Sequence, residues 1–153
     1  MFLLKKYLKF CNSAEKILNC ISFASIGMGF AFIITLLFWY SYPYKPLVIN
    51  HQPFHISTRE VKQGGLLIYE IDYCKNTDTV STVSRSFVNG LLFTMPIVEG
   101  SNKRGCGVNN VFLQLPPDLP AGDYVLEINY TYRMNPIKDV SVKVSSEHFT
   151  VVE

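Results

Sequence analysis

Two cysteines, Cys74 and Cys106, could form a disulfide bond. Cys74 ends a segment that alternates like a β-strand, and Cys106 lies in Gly105-Cys106-Gly107, a pattern typical of a flexible turn. A bond between them would close the 75–105 segment and restrict the unfolded chain, which would contribute about 3–4 kcal/mol of stability. The alternative is two unpaired thiols, with Cys106 exposed. The sequence favours the bond, which requires an oxidising compartment.

The histidines do not form a recognisable metal site. His51 and His55 would share one face of an extended strand. About 13 Å would separate them along it, which is too far for one ion unless the chain bends at Pro53. His148 is remote in sequence. The sequence therefore predicts no metal ligands.

No constellation typical of catalysis is apparent. The chain has no G-x-S-x-G motif, no P-loop and no H-E-x-x-H motif. The pair Gly64-Gly65 lacks the strand–helix context of a phosphate site. We therefore assign no catalytic or cofactor-binding residue, and we expect a protein that is not an enzyme and holds no cofactor.

An uncharged run from Ile21 to Tyr42 precedes these residues. A helix of this length would reach roughly 33 Å, enough to cross a hydrocarbon core of about 30 Å. Trp39 and Tyr40 lie near its C-terminal end, where aromatic rings favour the membrane interface, and Pro43 would end the helix. A buried core helix is usually shorter, and a cleaved signal peptide would need small residues near its cleavage site. The run predicts a transmembrane helix and contact with a lipid bilayer.

The charges that flank this run predict its orientation. Residues 1–20 carry four lysines against Glu15, a net charge of +3, whereas Lys45 alone follows the run closely. Positive charge favours the cytoplasmic side. We therefore expect a cytoplasmic segment at 1–20, the transmembrane helix at 21–42, a linker at 43–46 and an extracytoplasmic domain at 47–153. Depending on the host, that domain would be periplasmic, extracellular or lumenal.

Small residues inside the run offer a contact surface for another helix. Ser25 and Gly29 form one pair with a spacing of four, and Gly27 and Ala31 form another. Such pairs let two helices approach closely. The two pairs lie on different faces, so they are only a weak indication of self-association.

The pattern after Pro46 changes to a period of two residues, which is typical of β-strands. Clear strands are expected near 67–74, 123–133 and 140–145. Weaker ones are expected near 47–57, 80–88, 91–98 and 110–115. About seven short strands separated by turns predict an all-β sandwich. Residues 43–153 carry a net charge of −1, so no basic surface points to nucleic acid.

The segment from Leu119 to Tyr124, LPAGDY, resembles a corner found in immunoglobulin-like and fibronectin-like sandwiches. In those domains a tyrosine hydroxyl bonds back to upstream backbone, a role that the resemblance gives to Tyr124. True immunoglobulin domains have a cysteine two residues later, where this chain has Leu126. The resemblance therefore implies an immunoglobulin-like architecture without the usual inter-sheet disulfide.

Three cations in the 75–109 segment, Arg85, Lys103 and Arg104, are candidates for contact with a partner. Loops on a rigid sandwich are usual binding elements, and the alternative is a solvated loop. The expected function is a membrane-anchored binding or assembly module that contacts another membrane or envelope protein. The alternative is a small accessory subunit of a membrane complex, held through its transmembrane helix. Small size and a lone anchor also suit an accessory protein of a virus or phage.

Overall fold

The computed structural model describes residues 14–100 and 102–153. The chain divides into two compact units, one that ends at Tyr42 and one that spans Pro43–Glu153. Each unit is described by itself. Most of the expected basic segment, residues 1–13, lies outside the described residues.

The described part of the first unit is one helix, α1 (Ala14–Ser41), of 28 residues. At 1.5 Å per residue its length is about 42 Å, more than the roughly 30 Å of a bilayer core. It carries no charge after Lys16, and none of its residues from 16 to 41 is buried. By length and composition this helix can cross a membrane, so it suggests a membrane anchor. Cys20 on this helix is not a free thiol, and Cys11 lies outside the described residues.

The described residues of the second unit form nine strands in two sheets. A three-stranded antiparallel sheet has the order β1-β3-β7. A six-stranded sheet has the order β2-β9-β8-β4-β5, and β6 also pairs with β4. Only β2 runs parallel to its neighbour, β9. The strands are β1 (Leu47–Ile49), β2 (Glu60–Lys62), β3 (Leu66–Lys75), β4 (Ser81–Asn89), β5 (Leu91–Thr94), β6 (Val98–Gly100), β7 (Gly105–Gln114), β8 (Gly122–Asn135) and β9 (Lys138–Val152).

The alternation in the sequence explains how the two sheets pack. On β3 the residues Leu67, Tyr69 and Ile71 are buried, and on β8 every second residue from Tyr124 to Tyr132 is buried. These positions from both sheets join one apolar core. Removal of such side chains from water stabilises the fold by roughly 1.5–3 kcal/mol each. The described domain is therefore mostly β, with two facing sheets.

Tyr124 lies at the end of this core where β8 begins. Its hydroxyl donates a hydrogen bond to the Pro120 carbonyl oxygen at 3.0 Å. Its ring packs edge-on against Phe87 and Phe93, with ring centres 6.5 and 6.1 Å away. The bond back to upstream backbone holds the turn before β8 against the aromatic core.

The strand count and the nature of one segment differ from the sequence-based expectation. The described residues form nine strands instead of about seven, because two strands of only three residues, β2 and β6, were not expected as separate strands. Within the 75–109 segment, the strands expected near 80–88 and 91–98 form as β4 and β5, and β6 and the start of β7 follow them, so the candidate binding surface is not a single loop. Pairing with β3 places Cys106 on a strand, although its glycine neighbours had indicated a turn.

One side of the sandwich is closed by the chain between β1 and β2. Phe54 pairs with Ser146 on β9, and Ile56 pairs with Tyr69 on β3, so this short segment connects both sheets. Both Phe54 and Ile56 are buried. The opposite side has no such connection among the described residues. There the edge strand β7 of one sheet lies across from β4 and β6 of the other.

Candidate functional site

Cys74 and Cys106 form a disulfide bond with an S–S distance of 2.04 Å. They are directly paired residues on the neighbouring strands β3 and β7. Cys106 is exposed, and its neighbours along the same face of β7 are exposed as well. The bond therefore lies on the outer face of one sheet and closes the base of the 75–105 segment. It does not join the two sheets through the core.

The loop between β6 and β7 is held close to the end of β3. Lys75 is buried, and its Nζ donates a hydrogen bond to the Asn102 carbonyl oxygen at 2.8 Å. Arg104 pairs with Asp78 at 3.0 Å, but both side chains are largely exposed, so this ion pair stabilises little. Lys103 is exposed and forms no ion pair with any described residue. Of the three candidate cations, Lys103 and Arg104 are therefore the two on the surface.

Arg85 has a different environment because it lies on β4 and not in a loop. It shares the inward face of this strand with Val83 and Phe87, which are buried. Its Nε–H donates a hydrogen bond to the hydroxyl oxygen of Tyr69 at 3.2 Å. Arg85 forms no ion pair with a carboxylate in the described part of the chain. A half-buried cation thus lies between the sheets with one of its nitrogen atoms bonded across them.

A cleft of about 280 Å³ opens at this point, on the side of the sandwich that is not closed. Its walls come from β4, β6 and the Tyr130 position of β8 on one sheet, and from β7 on the other. Most of its lining groups are polar. The lining residues are Val83, Arg85, Glu99, Gly100, Asn102, Asn109, Asn110, Val111, Phe112 and Tyr130.

The charge of Arg85 is not neutralised by the tyrosines around it. Burial raises the pKa of Tyr69, and the nearby Arg85 guanidinium opposes this rise without reversing it. Burial also raises the pKa of Tyr130, as does the proximity of Tyr69, again against the effect of Arg85. Both hydroxyls therefore stay protonated at neutral pH. The inner end of the cleft carries a positive charge, and Glu99 supplies a carboxylate among the other lining residues.

Gly100 allows β6 to form one wall of the cleft. A Cβ atom at this position would collide with the Ser81 hydroxyl and would approach Val83 to 3.1 Å. A side chain at this position would require Ser81 and Val83 to move if β6 is to stay paired with β4. The close approach of these two strands determines the shape of this wall.

The cleft is bordered by strand edges. β7 pairs with β3 along all of its ten residues, and its other edge pairs with no described backbone group. Phe112 and Val108 lie on its outward face and are 64% and 59% exposed. On the other sheet, Leu91 and Leu92 on the edge strand β5 are also exposed. An edge strand with free N–H and C=O groups can pair with another chain.

The remaining sequence candidates do not come together at this cleft. Ser25, Gly27, Gly29 and Ala31 are exposed on α1. The Ser25 hydroxyl donates to the Ile21 carbonyl oxygen of its own helix at 2.8 Å. A Cβ atom on either glycine would meet no described atom within 4 Å. Among the described residues, no side chain covers the helix surface at these small residues.

The histidines pair with separate carboxylates. His55 Nδ1 lies 3.0 Å from a Glu147 oxygen, and His51 Nε2 lies 3.9 Å from an Asp72 oxygen. Within residues 14–100 and 102–153, no group of three potential metal ligands occurs.

Comparison with known proteins gives no family. No family model matches the chain. No curated protein matches it either.

Solved structures align with the chain only distantly. The C-terminal domain of wzt aligns with a TM-score of 0.47 and 14% identity, over 73% of this chain and 77% of that one. The Pseudomonas fluorescens alkylpurine DNA glycosylase AlkC, bound to DNA with an abasic-site analog, gives 0.42 and 9% over 72% of this chain. A β-glucosidase from Listeria innocua in complex with glucose gives 0.33 and 8% over 67%. The chain spans 32% of the AlkC chain and 16% of the glucosidase chain. At these TM-scores the alignments carry no argument about function.

Sequence reasoning selected Arg85 but not the residues that share its cleft. Most of the missed residues lie on β6, β7 and β8, with Val83 on β4 and Asn102 in the loop before β7, and only the pairing of distant strands brings them together. One local signal was present. Arg85 occurs at a spacing of two from both Val83 and Phe87, so the strand alternation already placed a cation on an apolar face.

Proposed function

We propose that this chain is a membrane-anchored, non-enzymatic binding module. The α1 helix spans the membrane, and the sandwich lies outside the cytoplasm and contacts another membrane or envelope protein. The observation that carries this proposal is the asymmetry of the sandwich. One side is closed by the Phe54–Ile56 segment, whereas the other has free strand edges around a cleft that contains Arg85.

Two observations support the orientation. The lysines of residues 1–20 favour the cytoplasm for the N-terminus. The Cys74–Cys106 bond suits an oxidising compartment for the sandwich. The domain is proposed to be immunoglobulin-like, and the hydrogen bond from Tyr124 to Pro120 supports this class. The disulfide within one sheet differs from the usual immunoglobulin pattern.

A second candidate function is an accessory subunit held through its helix. The open surface at Gly27 and Gly29 favours this candidate, because small residues permit close helix packing. Under this alternative the helix surface, and not the open side of the sandwich, would contact the partner.

Site-specific photocrosslinking in intact host cells separates the two candidates. A photoreactive residue is placed at Phe112 beside the cleft, at Leu92 on the edge strand β5, at Gln63 next to β2 on the closed side, or at Phe32 on α1. All four positions are exposed in the structure. The proposal expects adducts from Leu92 and Phe112 but not from Gln63, with a crosslinked protein that mass spectrometry identifies as an envelope protein. Adducts from Phe32 alone would favour the accessory-subunit alternative.

A further inference from the structure

We propose that the cleft binds a carboxylate carried by an extended segment of a partner protein, and that this segment pairs with the free edge of β7. This inference rests on the proposed function, because it names the kind of partner that the open side of the sandwich would accept. It depends on three features of the domain: the free donors of Arg85, the charge balance of the cleft and the geometry of β7.

The first feature is a set of hydrogen-bond donors without acceptors. The Nε–H group of Arg85 donates its hydrogen bond to the Tyr69 hydroxyl oxygen. Its two terminal amino groups donate to no described residue, and the side chain lines the cleft. A guanidinium has a planar fork of donors that matches the two oxygens of a carboxylate. The Tyr69 bond fixes the plane of the fork, so less side-chain freedom is lost on binding.

The second feature is the charge balance, which favours a carboxylate over a phosphate. Arg85 is the only cation among the cleft residues, and Glu99 is the only anion. A ligand with a single negative charge can pair with Arg85. A doubly charged phosphate would leave one charge unpaired close to the Glu99 carboxylate. The remaining polar groups are amides and a phenol, which bind neutral or singly charged polar groups.

The third feature is the direction of side chains on an added strand. Side chains alternate between the two faces of a sheet, as Asn109 and Val111 point inward on β7 while Val108 and Phe112 point outward. A strand added beside β7 would continue the three-stranded sheet across the open side. Every second side chain of that strand would then face the other sheet, where Arg85 lies. Its outward side chains would extend the surface of Phe112.

The occupant is therefore an extended segment with an Asp or Glu at one inward position and β-branched residues around it. Recognition of this kind takes affinity from main-chain hydrogen bonds and specificity from side-chain pockets. The exposed apolar residues on the two edge strands, Phe112 on β7 and Leu92 on β5, suit such a segment better than a small soluble ligand.

The test uses the full chain in nanodiscs of uncharged phosphatidylcholine. The probe is the peptide acetyl-TVTETVT-amide, and the matched control is acetyl-TVTQTVT-amide. A third peptide carries N-methyl groups on alternate residues, which block pairing with β7 but keep the glutamate. The readout is the ¹H–¹⁵N signal of Arg85 Nε, assigned by its loss in Arg85→Lys.

We expect the glutamate peptide to shift the Arg85 signal in a saturable way at up to millimolar concentration. The glutamine and N-methylated peptides should bind at least ten times more weakly. In Arg85→Gln, whose fold is checked by circular dichroism, the glutamate and glutamine peptides should bind equally, as followed by fluorescence anisotropy of labelled peptide. Lys103→Gln and Arg104→Gln should keep the preference for glutamate.

Three results would overturn the inference. These are the absence of a glutamate-dependent shift, equal loss of binding in Lys103→Gln and Arg85→Gln, or stronger competition by inorganic phosphate than by acetate. Crosslinks at Leu92 with no glutamate preference would retain the proposed function and reject the carboxylate site. A glutamate preference without any crosslink in cells would reject the proposed function instead.

Discussion

The Nε–H of Arg85 on β4 donates a hydrogen bond to the hydroxyl oxygen of Tyr69 on β3, at 3.2 Å. The two residues belong to opposite sheets, and Tyr69 is fully buried. The bond thus connects the sheets at the inner end of the open cleft. It also holds the guanidinium of the only cation in that cleft.

Replacement of Tyr69 by Phe tests the contribution of this bond to stability. Tyr69→Phe keeps the ring in the core but removes the acceptor, so the free energy of unfolding should fall by about 1–2 kcal/mol. Urea unfolding of the full chain in nonionic detergent, followed by circular dichroism, gives this value. The matched control is Tyr73→Phe, because the Tyr73 hydroxyl bonds to no described residue, and it should change stability by less than about 0.5 kcal/mol. Equal effects from both variants would contradict a specific role for the bond.

Alkaline pH should unfold the sandwich, and Tyr130 should contribute to this effect. Burial raises the pKa of Tyr69, Tyr130 and Tyr132 in the folded state. Below about pH 10 both states keep these protons, so the full stability is present. Above it the unfolded chain loses protons that the folded domain retains, and stability falls by up to about 1.4 kcal/mol per pH unit for each tyrosine.

Tyr130→Phe removes one of these groups and should reduce the slope of stability against pH above about pH 10. Urea unfolding at intervals from pH 8 to 11 measures the slope of stability against pH for the wild-type chain and for the variant. Parallel curves for the wild-type chain and the variant would show that Tyr130 does not titrate in the way that its burial implies.

The sequence was most informative where one strand alone determines the result. The alternation around Tyr124 and Leu126 predicted the buried face of β8, and the same residues are buried in the structure. The uncharged run from Ile21 to Tyr42 predicted one long helix, and α1 covers this run as far as Ser41. In these segments the local pattern and the surrounding structure favour the same conformation.

The sequence was less informative where distant segments must pair. The glycines beside Cys106 indicated a turn, but pairing of β7 with β3 makes this residue part of a strand. The walls of the cleft form only when β6 pairs with β4 and β7 pairs with β3. Each of these pairings joins segments that are far apart in the sequence. The local alternation around Arg85 predicts an inward cation but not which residues face it.

Ser146 should stabilise an irregular point in the pairing of β8 with β9. The register shifts between Val125 and Glu127, and there the backbone N–H of Leu126 donates to Ser146 Oγ at 2.8 Å. Both residues are buried. Ser146→Ala would leave this N–H without an acceptor, so stability should fall by about 1–3 kcal/mol. Ser141→Ala on the exposed face of β9 is the matched control, and the same urea experiment should show almost no change for it.

The disulfide should contribute strongly to stability, because it closes a segment with a sequence separation of 32. In a Cys11→Ser, Cys20→Ser background, the further change of Cys74 and Cys106 to Ser should lower the free energy of unfolding by about 3–4 kcal/mol. Reductant should lower the stability of the background chain by the same amount and should not affect the quadruple variant. If reductant lowered the stability of both chains equally, reduction of the Cys74–Cys106 bond would not be the cause of the lost stability.

Thiol labelling of the same background in intact cells tests the orientation of the sandwich. Its remaining cysteines are Cys74 and Cys106, which are bonded, and Cys106 is exposed. If the sandwich lies outside the cytoplasm, a membrane-impermeant maleimide should label the chain only after an impermeant reductant has been added. Labelling from outside without reductant would keep the orientation but reject the bond in cells. Labelling that needs permeabilised membranes and no reductant would place the domain in the cytoplasm, where disulfides are rare, and the search for a partner would move to that side.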